Sequence, residues 1–205
     1  QRRCASGSAK RLAKNTSQRV NSKATAFQTR RVAAALSSGD VVAVPAEAVW
    51  GLSCDPWCLD AVESLCAMKR RALDKGLIVV SWTPHHFEPL LQALPAEARQ
   101  ECLDSWPAPI TWIVPNHGYF PPWVTGDSNE VAIRVTAAPA LVALSRALDG
   151  PVVSTSANAA GALPARHGFQ VTRYFGEKLK KLPGTVDLMA KPSTIKRVTT
   201  GDVLR

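Results

Sequence analysis

The amino-acid sequence predicts an α/β fold in which helices pack against a single sheet. Three observations lead to this prediction. Short apolar, β-branched runs alternate along the chain with segments of helical periodicity. Hydrophobic residues make up 46% of the 205 residues and charged residues 20%, a composition that excludes a largely disordered chain. A chain of this length buries roughly 70% of its unfolded surface on folding, so one core is enough to stabilise it.

The sequence of the first half of the chain predicts two strands and four helices. Val32 and Leu36 recur at i, i+4 spacing and predict a short helix. The apolar run that Pro45 ends predicts a strand buried on both faces. A second apolar run, GLIVVSW, predicts another buried strand. In chain order, the predicted elements are helix 29–36, strand 41–44, helix 59–69, strand 76–82 and helices 84–94 and 96–103.

The second half predicts more strands than helices. Its strands are predicted over 110–114, 131–135, 152–155, 194–198 and 202–204, and its helices over 139–148 and 169–175. Prolines at many of the joints argue against a simple repeated strand–helix–strand winding.

The net charge of +9 arises from the N-terminal segment. Residues 1–39 contain nine Lys and Arg and no acidic residue, whereas 40–205 contain sixteen of each sign. Residues 1–26 also lack apolar periodicity, so we expect a basic, disordered arm there and a folded domain over 27–205. Three origins fit the arm: a transit-like targeting peptide, an arm that binds nucleic-acid phosphates, or a truncation or cloning remnant.

The five cysteines, an odd number without a dense framework, predict reduced thiols and a cytoplasmic location. Cys54, Cys58 and Cys66 lie close in sequence, but no CxxC pair or well-spaced histidine accompanies them, so buried thiols are favoured over a zinc site and no metal ligand is predicted. The four histidines form no HExxH or triad pattern and are expected in loops or on the surface: His85, His86, His117 and His167. No apolar run approaches the roughly 18 residues of a membrane span, so no membrane partner is expected.

Two segments at the ends of predicted elements carry side chains suited to a ligand. In 44–55 (VPAEAVWGLSCD), a strand ends and opens into a loop with Glu47 and Gly51. Ligands bind at such strand ends, although a plain strand–loop–helix joint has the same pattern. In 69–76 (KRRALDKG), four cations fall within seven residues after a helix. A solvated basic turn is the alternative, but Lys75 at the entry of an apolar strand favours a polyphosphate ligand.

Two further segments point to an anionic ligand. In 154–161 (STSANAAG), three hydroxyls and an amide follow a strand, which suits an anion-binding pocket as well as a helix-cap and turn cluster. Arg134 interrupts the apolar strand 131–135. Because a buried unpaired arginine is very costly, Arg134 needs either a carboxylate or a ligand phosphate. The chain has no GxxxxGK[ST], GxGxxG or GxSxG motif, so nothing supports a Walker loop, a Rossmann site or a serine acyl-enzyme.

Taken together, these segments resemble the YrdC/TsaC family of threonylcarbamoyl-AMP synthases in its short bacterial form. The family motifs YPTEAVxGLGCDP, KxR with DKGL, WPGPxT, VAxRVT, STSANxxG and PSTIKR are similar, in that order, to 44–56, 69–77, 106–111, 131–136, 154–161 and 192–197. The resemblance covers about 30–205. It implies an α/β, YrdC-like twisted mixed sheet with flanking helices around a concave basic cleft.

The resemblance implies a reaction in which L-threonine, bicarbonate (or CO₂) and ATP form threonylcarbamoyl-adenylate and pyrophosphate. A tRNA threonylcarbamoyl-transferase complex then uses the product to modify tRNA. The implied enzyme is a nucleotidyltransferase without an organic cofactor, and Mg²⁺ arrives on the ATP. Both reacting groups are anionic, so positioning and cationic side chains are expected to do most of the catalysis.

The motif matches carry the family's roles to particular residues. Lys69 and Arg71 are the implied catalytic residues. The implied ATP-binding residues are Lys69, Arg71, Lys75, Thr111, Arg134, Ser154, Ser156 and Asn158. The implied threonine-binding residues are Ala46, Glu47, Arg71 and Thr136.

The sequence departs from the family pattern at several small residues. Ala46 stands where the family has Thr, Ala72 where it has Pro, and Ala108 where it has Gly. Ser53 also replaces a Gly, and 137–138 are Ala-Ala where Asp-His is usual. A side chain at a glycine position demands a negative φ. The changes leave two alternatives open: a paralogue that binds RNA or nucleotides with weak or no synthase activity, and a carbamoyl-transfer relative that acts on another amine.

Overall fold

The computed structural model describes residues 25–204, whose central element is a seven-stranded sheet. The strands are β1 (Val42–Pro45), β2 (Trp50–Cys54), β3 (Ile78–Ser81), β4 (Ile110–Pro115), β5 (Glu130–Val135), β6 (Val152–Ser156) and β7 (Thr194–Arg197). Their spatial order is β1-β2-β6-β3-β5-β4-β7. Only β3 with β5 and β4 with β7 pair in parallel within this sheet. The predicted mixed sheet is therefore confirmed.

The helices surround this sheet on both faces. They are α1 (25–37), α2 (Leu59–Lys69), a 3-10 helix (Pro84–Phe87), α3 (Glu88–Gln92), α4 (Ala96–Asp104), α5 (Pro122–Thr125), α6 (Pro139–Leu148) and α7 (Gly168–Phe175). None of the helices within 25–204 is long and apolar enough to cross a membrane.

The first helix is longer than its sequence pattern predicts. Helix α1 already includes residues 25 and 26, so the domain boundary expected at residue 27 falls inside it. The rest of the predicted basic arm, residues 1–24, lies outside the described residues.

Four element predictions were wrong. Strand β2 lies in the segment that was expected as a loop after Pro45; pairing with β1 on one side and β6 on the other makes it a strand. The single helix predicted over 84–94 is a 3-10 helix followed by α3, since Pro89 at the start of α3 has no amide hydrogen to continue the preceding turn. The short helix α5 was not predicted. The strand predicted over 202–204 is one bridge between Val203 and Lys196.

Three apolar clusters form the core. One joins α2 to β2 and β6, and a second joins the 3-10 helix, α3 and α4 to β4 and β5. The third packs α1 and α6 against β1, β3 and β6. Strand β1 lies at the sheet edge, where the amide of Ala43 donates to Lys180 O (2.9 Å) and its carbonyl accepts from the Leu182 amide (2.9 Å). The chain after α7 thereby covers this edge.

Candidate active site

A cleft of about 800 Å³ opens on part of one sheet face. Polar side chains of β5 and β6 contribute to its lining. In β5, Ile133 lies in the apolar core, whereas Arg134 lines the cleft. In β6, Val153 lies in the core, whereas Ser154 and Ser156 line the cleft. The buried strands therefore present their polar residues to one open volume.

Five segments distant in sequence meet around this cleft. They are 46–51, 71–78, 124–134, 154–156 and 191–197. Each of them includes or borders a motif that the sequence analysis singled out. The convergence follows from the crossed strand order, which places β6 between β2 and β3.

Glu47, Arg134 and Thr136 form one polar network at the cleft. The Arg134 Nη2 lies 3.3 Å from Glu47 Oε2, and the Thr136 hydroxyl donates to Glu47 Oε1 at 2.7 Å. The Thr136 hydroxyl also accepts the Ala138 amide at 3.0 Å. The predicted anionic partner of buried Arg134 is therefore a carboxylate of the protein. Glu47 is fixed in one orientation at the place where the loop after β1 meets β5.

Lys69 is buried and bonded to the protein itself. Its Nζ donates to the backbone oxygens of Ser156 and Asn158, the latter at 2.8 Å. Its backbone oxygen accepts the Ala160 amide at 2.7 Å. Burial, with a smaller contribution from Arg71, lowers the pKa of Lys69 to about 8. The catalytic and ATP-binding roles that the resemblance implies for Lys69 would require its side chain to line the cleft. The structure instead places it behind the 156–160 loop, which it ties to the end of α2.

The turn after α2 directs Lys69 and Arg71 to different places. Arg70 adopts a left-handed conformation, with φ of 52°. The amides of Arg70 and Arg71 bond to the carbonyls of Ala67 and Cys66, which closes the helix end. Arg71 then lines the cleft, and its Nη2 donates to Gly76 O at 2.7 Å. Its Nε is buried without a hydrogen-bond partner among residues 25–204.

Lys75 lies outside the cleft lining. It is exposed, and its backbone forms an antiparallel bridge with Gly126. Gly126 has a φ of +64°, and a Cβ there would lie 2.1 Å from Asp74 O. Only glycine permits this contact between the 74–76 and 124–126 segments. The geometry therefore gives Lys75 a place at the border of the cleft.

The hydroxyl-rich segment after β6 is only partly exposed to the cleft. The Ser156 hydroxyl donates to Asn158 Oδ1 at 2.5 Å, and Asn158 Nδ2 donates to Ala162 O at 2.7 Å. Asn158 therefore organises its own loop and does not line the cleft. Thr111 is also buried, and its hydroxyl donates to Ser193 Oγ at 3.2 Å. Thr111 reaches the cleft only through Ser193, which lines it.

The charges that line the cleft are balanced. Cations and carboxylates occur in equal number among the lining residues: Arg71, Arg134, Lys191 and Arg197 face Glu47, Asp74, Asp127 and Glu130. Arg197 Nε pairs with Glu130 Oε2 at 3.0 Å. The expectation of a basic cleft is therefore not confirmed, although Arg71 and Lys191 remain available to an anionic ligand.

Sequence reasoning missed several residues of the cleft. Lys191, Ser193 and Arg197 belong to the PSTIKR region, which was noticed as similar to the family but was given no role. Asp74 lies in the basic segment 69–76, where only the cations were given a role, and Asp127 lies in a segment that was not singled out. Parallel pairing of β7 with β4 brings the tail to the cleft, and this pairing has no local sequence signal.

Three of the four cysteines within 25–204 are buried thiols as predicted, whereas one histidine departs from its prediction. Cys54, Cys66 and Cys102 are buried free thiols, Cys58 is half-buried, and burial raises the pKa of Cys102 to about 12. Cys4 lies outside the described residues. His86, expected in a loop or on the surface, is half-buried in the 3-10 helix, with Nδ1 2.8 Å from Ser81 Oγ. No group of three or more His, Cys, Asp or Glu within the described part of the chain is arranged to hold a metal ion.

The departures from the family pattern cause no backbone strain. The non-glycine residues with positive φ within 25–204 are Arg70, His117 and Asp149. Ala108 and Ser53 therefore fit where the pattern has glycine. Ala46 lines the cleft directly beside Glu47, and Ala72 is exposed.

Comparison with protein families and with curated proteins gives consistent similarities. The family model Sua5_yciO_yrdC, described as "Telomere recombination", matches residues 34–205. A threonylcarbamoyl-AMP synthase of Hahella chejuensis is 46% identical over 181 residues, which cover 88% of this chain and 98% of that protein. A threonylcarbamoyl-AMP synthase of Cellvibrio japonicus is 44% identical over 83% of this chain and 90% of that protein.

Solved structures share the fold. P. abyssi Sua5 complexed with L-threonine superposes with a TM-score of 0.81 at 27% identity, covering 88% of this chain. The chain spans about half of that longer structure, 54% of its length. E. coli YciO superposes with a TM-score of 0.77 at 17% identity over 88% of this chain and 89% of that one, which shows the same fold.

Proposed function

This chain belongs to the Sua5/YciO/YrdC family, and from that membership we propose that it is a threonylcarbamoyl-AMP synthase. The proposed reaction joins L-threonine, bicarbonate or CO₂, and ATP into threonylcarbamoyl-adenylate and pyrophosphate. In this reaction the chain acts as a nucleotidyltransferase. The product then serves a tRNA threonylcarbamoyl-transferase complex in the modification of tRNA, in the cytoplasm.

The observation that carries the proposal is the convergence of five distant motif segments on one cleft. Of the six motif segments, 106–111 contributes no residue to the lining. The other five surround a volume that is large enough for a nucleotide and a small amino acid together. The similarity to named synthases extends over 98% of the Hahella protein, so a non-catalytic paralogue is not favoured.

The cleft offers separate groups for the anionic and the amine substrates. Arg71 and Lys191 face the cleft and suit the phosphates of ATP, which enters as its magnesium complex. Ser154 and Ser156 add hydroxyls beside them. Ala46 and the fixed carboxylate of Glu47 also line the cleft, and they border the space we assign to threonine. Lys69 has an indirect, positioning role, because its Nζ donates hydrogen bonds to the carbonyls of Ser156 and Asn158 and so fixes the 156–158 loop.

The chemistry requires two bond-forming steps. The free amine nitrogen of threonine attacks the carbon of CO₂ and releases a proton, which leaves a carbamate. A carbamate oxygen then attacks the α-phosphorus of ATP, and the bond to pyrophosphate breaks with its electron pair on the leaving oxygen. Both partners are negatively charged, so cations held in place before the reaction lower the barrier most effectively. Arg71 is the candidate for this role, since its side chain is oriented by the Gly76 carbonyl.

The direct test measures pyrophosphate release by the purified chain with ATP, threonine and bicarbonate. Release is expected to depend on all three substrates. Arg71→Ala is expected to lower the rate at least about tenfold, because it removes charge stabilisation worth a few kcal/mol. Arg99→Ala is the matched control, since Arg99 pairs with Glu88 outside the cleft.

One result would contradict the proposed reaction, and another would contradict the proposed role of Arg71. Pyrophosphate release that ignores threonine but responds to another amine would indicate a carbamoyl-transfer relative. An Arg71→Ala variant with the wild-type rate would remove Arg71 from the proposed site.

A further inference from the structure

The guanidinium of Arg71 is held by backbone carbonyls of the segment that follows it. Its Nη2 donates to Gly76 O at 2.7 Å and to Lys75 O at 3.3 Å. Its Nε is buried and has no hydrogen-bond partner within residues 25–204. The direction of this guanidinium therefore depends on where the carbonyls of residues 75 and 76 lie.

The segment 72–76 is fixed by hydrogen bonds and not by burial, since all five of its residues are exposed. The Asp127 amide donates to Asp74 O at 3.1 Å. Directly after the segment, the Leu77 amide donates to Val124 O at 2.8 Å. Both bonds join the segment to α5 or to the residues that follow α5, so this short helix determines where the segment lies.

Helix α5 is itself anchored in the core. Val124 is fully buried in the second apolar cluster, together with residues of β4 and β5. Trp123 packs against two of the apolar clusters, and its Nε1 donates to Pro56 O at 3.0 Å. The helix therefore offers the exposed segment a fixed edge to lie against.

Glycines on both sides allow the two backbones to approach closely. Gly126, which ends α5, has a φ of 64° and a ψ of −143°, a conformation that essentially requires glycine. A Cβ at Gly126 would lie 2.1 Å from Asp74 O and 2.9 Å from the Gly76 nitrogen. A Cβ at Gly76 would lie 2.9 Å from Thr125 O. Because these neighbours are backbone atoms, a methyl group at either glycine would push the two segments apart.

We propose that Gly126 is a positioning residue for the proposed reaction. It lets the 74–76 backbone lie against α5, and this contact places the carbonyls that orient Arg71 toward the phosphates of ATP. Gly126 does not line the cleft, although Thr125 and Asp127 do, so it acts through Arg71. A shift of about 1 Å in the position of a catalytic group can cost about 100-fold in rate. This proposal rests on the proposed function.

The test is a double-mutant cycle on the purified full chain with Gly126→Ala, Arg71→Ala and the combined variant. Pyrophosphate release is measured with ATP, threonine and bicarbonate. Gly126→Ala is expected to lower kcat at least about tenfold. The combined variant is expected to stay within about twofold of Arg71→Ala, because the guanidinium that Gly126 positions is already absent. A general structural defect would instead lower the rate by the same factor in both backgrounds.

Gly176→Ala is the matched control. Gly176 ends α7 as Gly126 ends α5: its φ is 83°, and its amide donates at 2.8 Å to the carbonyl four residues earlier. A Cβ at Gly176 would meet no atom within 4 Å. Gly176→Ala therefore introduces comparable backbone strain without displacing a neighbouring segment. It is expected to lower the thermal unfolding temperature and to keep the wild-type kcat.

A milder variant keeps the proposal testable if Gly126→Ala does not fold. Gly76→Ala adds a methyl group on the other side of the same contact, at a longer distance and without a positive φ. It is expected to lower kcat at least about threefold, and again not in the Arg71→Ala background.

Three results would overturn the positioning proposal. The first is a wild-type rate in folded Gly126→Ala, and the second is an equal loss with and without Arg71. The third is an equal loss of rate in Gly176→Ala, which would assign the effect to backbone strain alone. Failure of the proposed function is seen separately, as absence of pyrophosphate release by the wild-type chain. In that case calorimetric ATP binding decides the same cycle, with affinity expected to fall in both single variants and no further in the combined one.

Discussion

The Lys69 Nζ donates a hydrogen bond of 2.8 Å to the backbone oxygen of Asn158, 89 residues further along the chain. A second bond joins the same Nζ to Ser156 O. One ammonium group thus connects the end of α2 to the loop that follows β6. Ser156, the last residue of β6, lines the cleft, so the geometry of the proposed phosphate site depends on a residue outside its lining.

Stability is expected to depend on pH through Lys69. Burial lowers the pKa of Lys69 to about 8, from an ordinary value of 10.5. Between these pH values the unfolded chain binds a proton that the folded chain does not, so this group raises the free energy of unfolding with pH, by up to about 1.4 kcal/mol per unit. Below pH 8 the contribution of Lys69 to the free energy of unfolding no longer changes with pH. Urea unfolding of the wild type and Lys69→Met at several pH values measures the difference in slope, and identical slopes would contradict the prediction.

Removing the charge of Glu47 is expected to destabilise the fold as well as the site. Glu47→Gln keeps a hydrogen-bond acceptor for Thr136 but leaves the buried charge of Arg134 without its carboxylate, at a cost of about 3 kcal/mol. Thr136→Val is the milder comparison, expected to cost about 1–2 kcal/mol through lost hydrogen bonds. Denaturant unfolding gives both values. If Glu47→Gln lost no more free energy of unfolding than Thr136→Val, the ion pair between Glu47 and Arg134 would contribute little to stability.

The left-handed turn after α2 is expected to tolerate glycine better than any β-branched residue. Arg70 has a φ of 52°, which costs a non-glycine residue about 1–2 kcal/mol. Glycine avoids this cost, but its greater conformational freedom in the unfolded chain offsets part of the gain in stability. Arg70→Gly is therefore expected to stabilise the protein by about 0.5–1 kcal/mol, and Arg70→Val to destabilise it. Thermal unfolding of the two variants checks the order, and a more stable Arg70→Val would refute the explanation.

Restoring the hydroxyl that the family pattern has at residue 46 is expected to favour threonine. Ala46 lines the cleft beside Glu47, so a hydroxyl there can reach the space assigned to the amino acid. One recovered hydrogen bond contributes roughly 0.5–1.5 kcal/mol, which is about 2–12-fold in affinity. Calorimetric titration of Ala46→Thr with threonine, and with ATP as the control ligand, measures the change. Weaker threonine binding would mean that the amino acid lies elsewhere.

Local sequence patterns predicted most elements of this fold because their causes are local. The apolar, β-branched runs at β1, β3, β5 and β6 became strands, and α2 and α6 occupy their predicted ranges. Strand β2 was missed because its sequence, WGLSC, has little intrinsic preference for a strand. Its conformation is set by hydrogen bonds to β1 and β6, and β6 lies about 100 residues further along the chain.

The sequence by itself determined the fold class, the family and most of the segments that line the cleft, since each of these depends on the order and type of neighbouring residues. Only the tertiary structure decided which motif side chains reach the cleft. Arg71 reaches it, whereas Lys69 and Asn158 turn inward to hold a loop, and Arg134 is already paired with Glu47. The physical reason is that a charged or polar side chain bonds the nearest complementary group in space. For Lys69 those groups are backbone oxygens 87 and 89 residues further along the chain. For Arg134 the group is the carboxylate of Glu47, in the connection between β1 and β2.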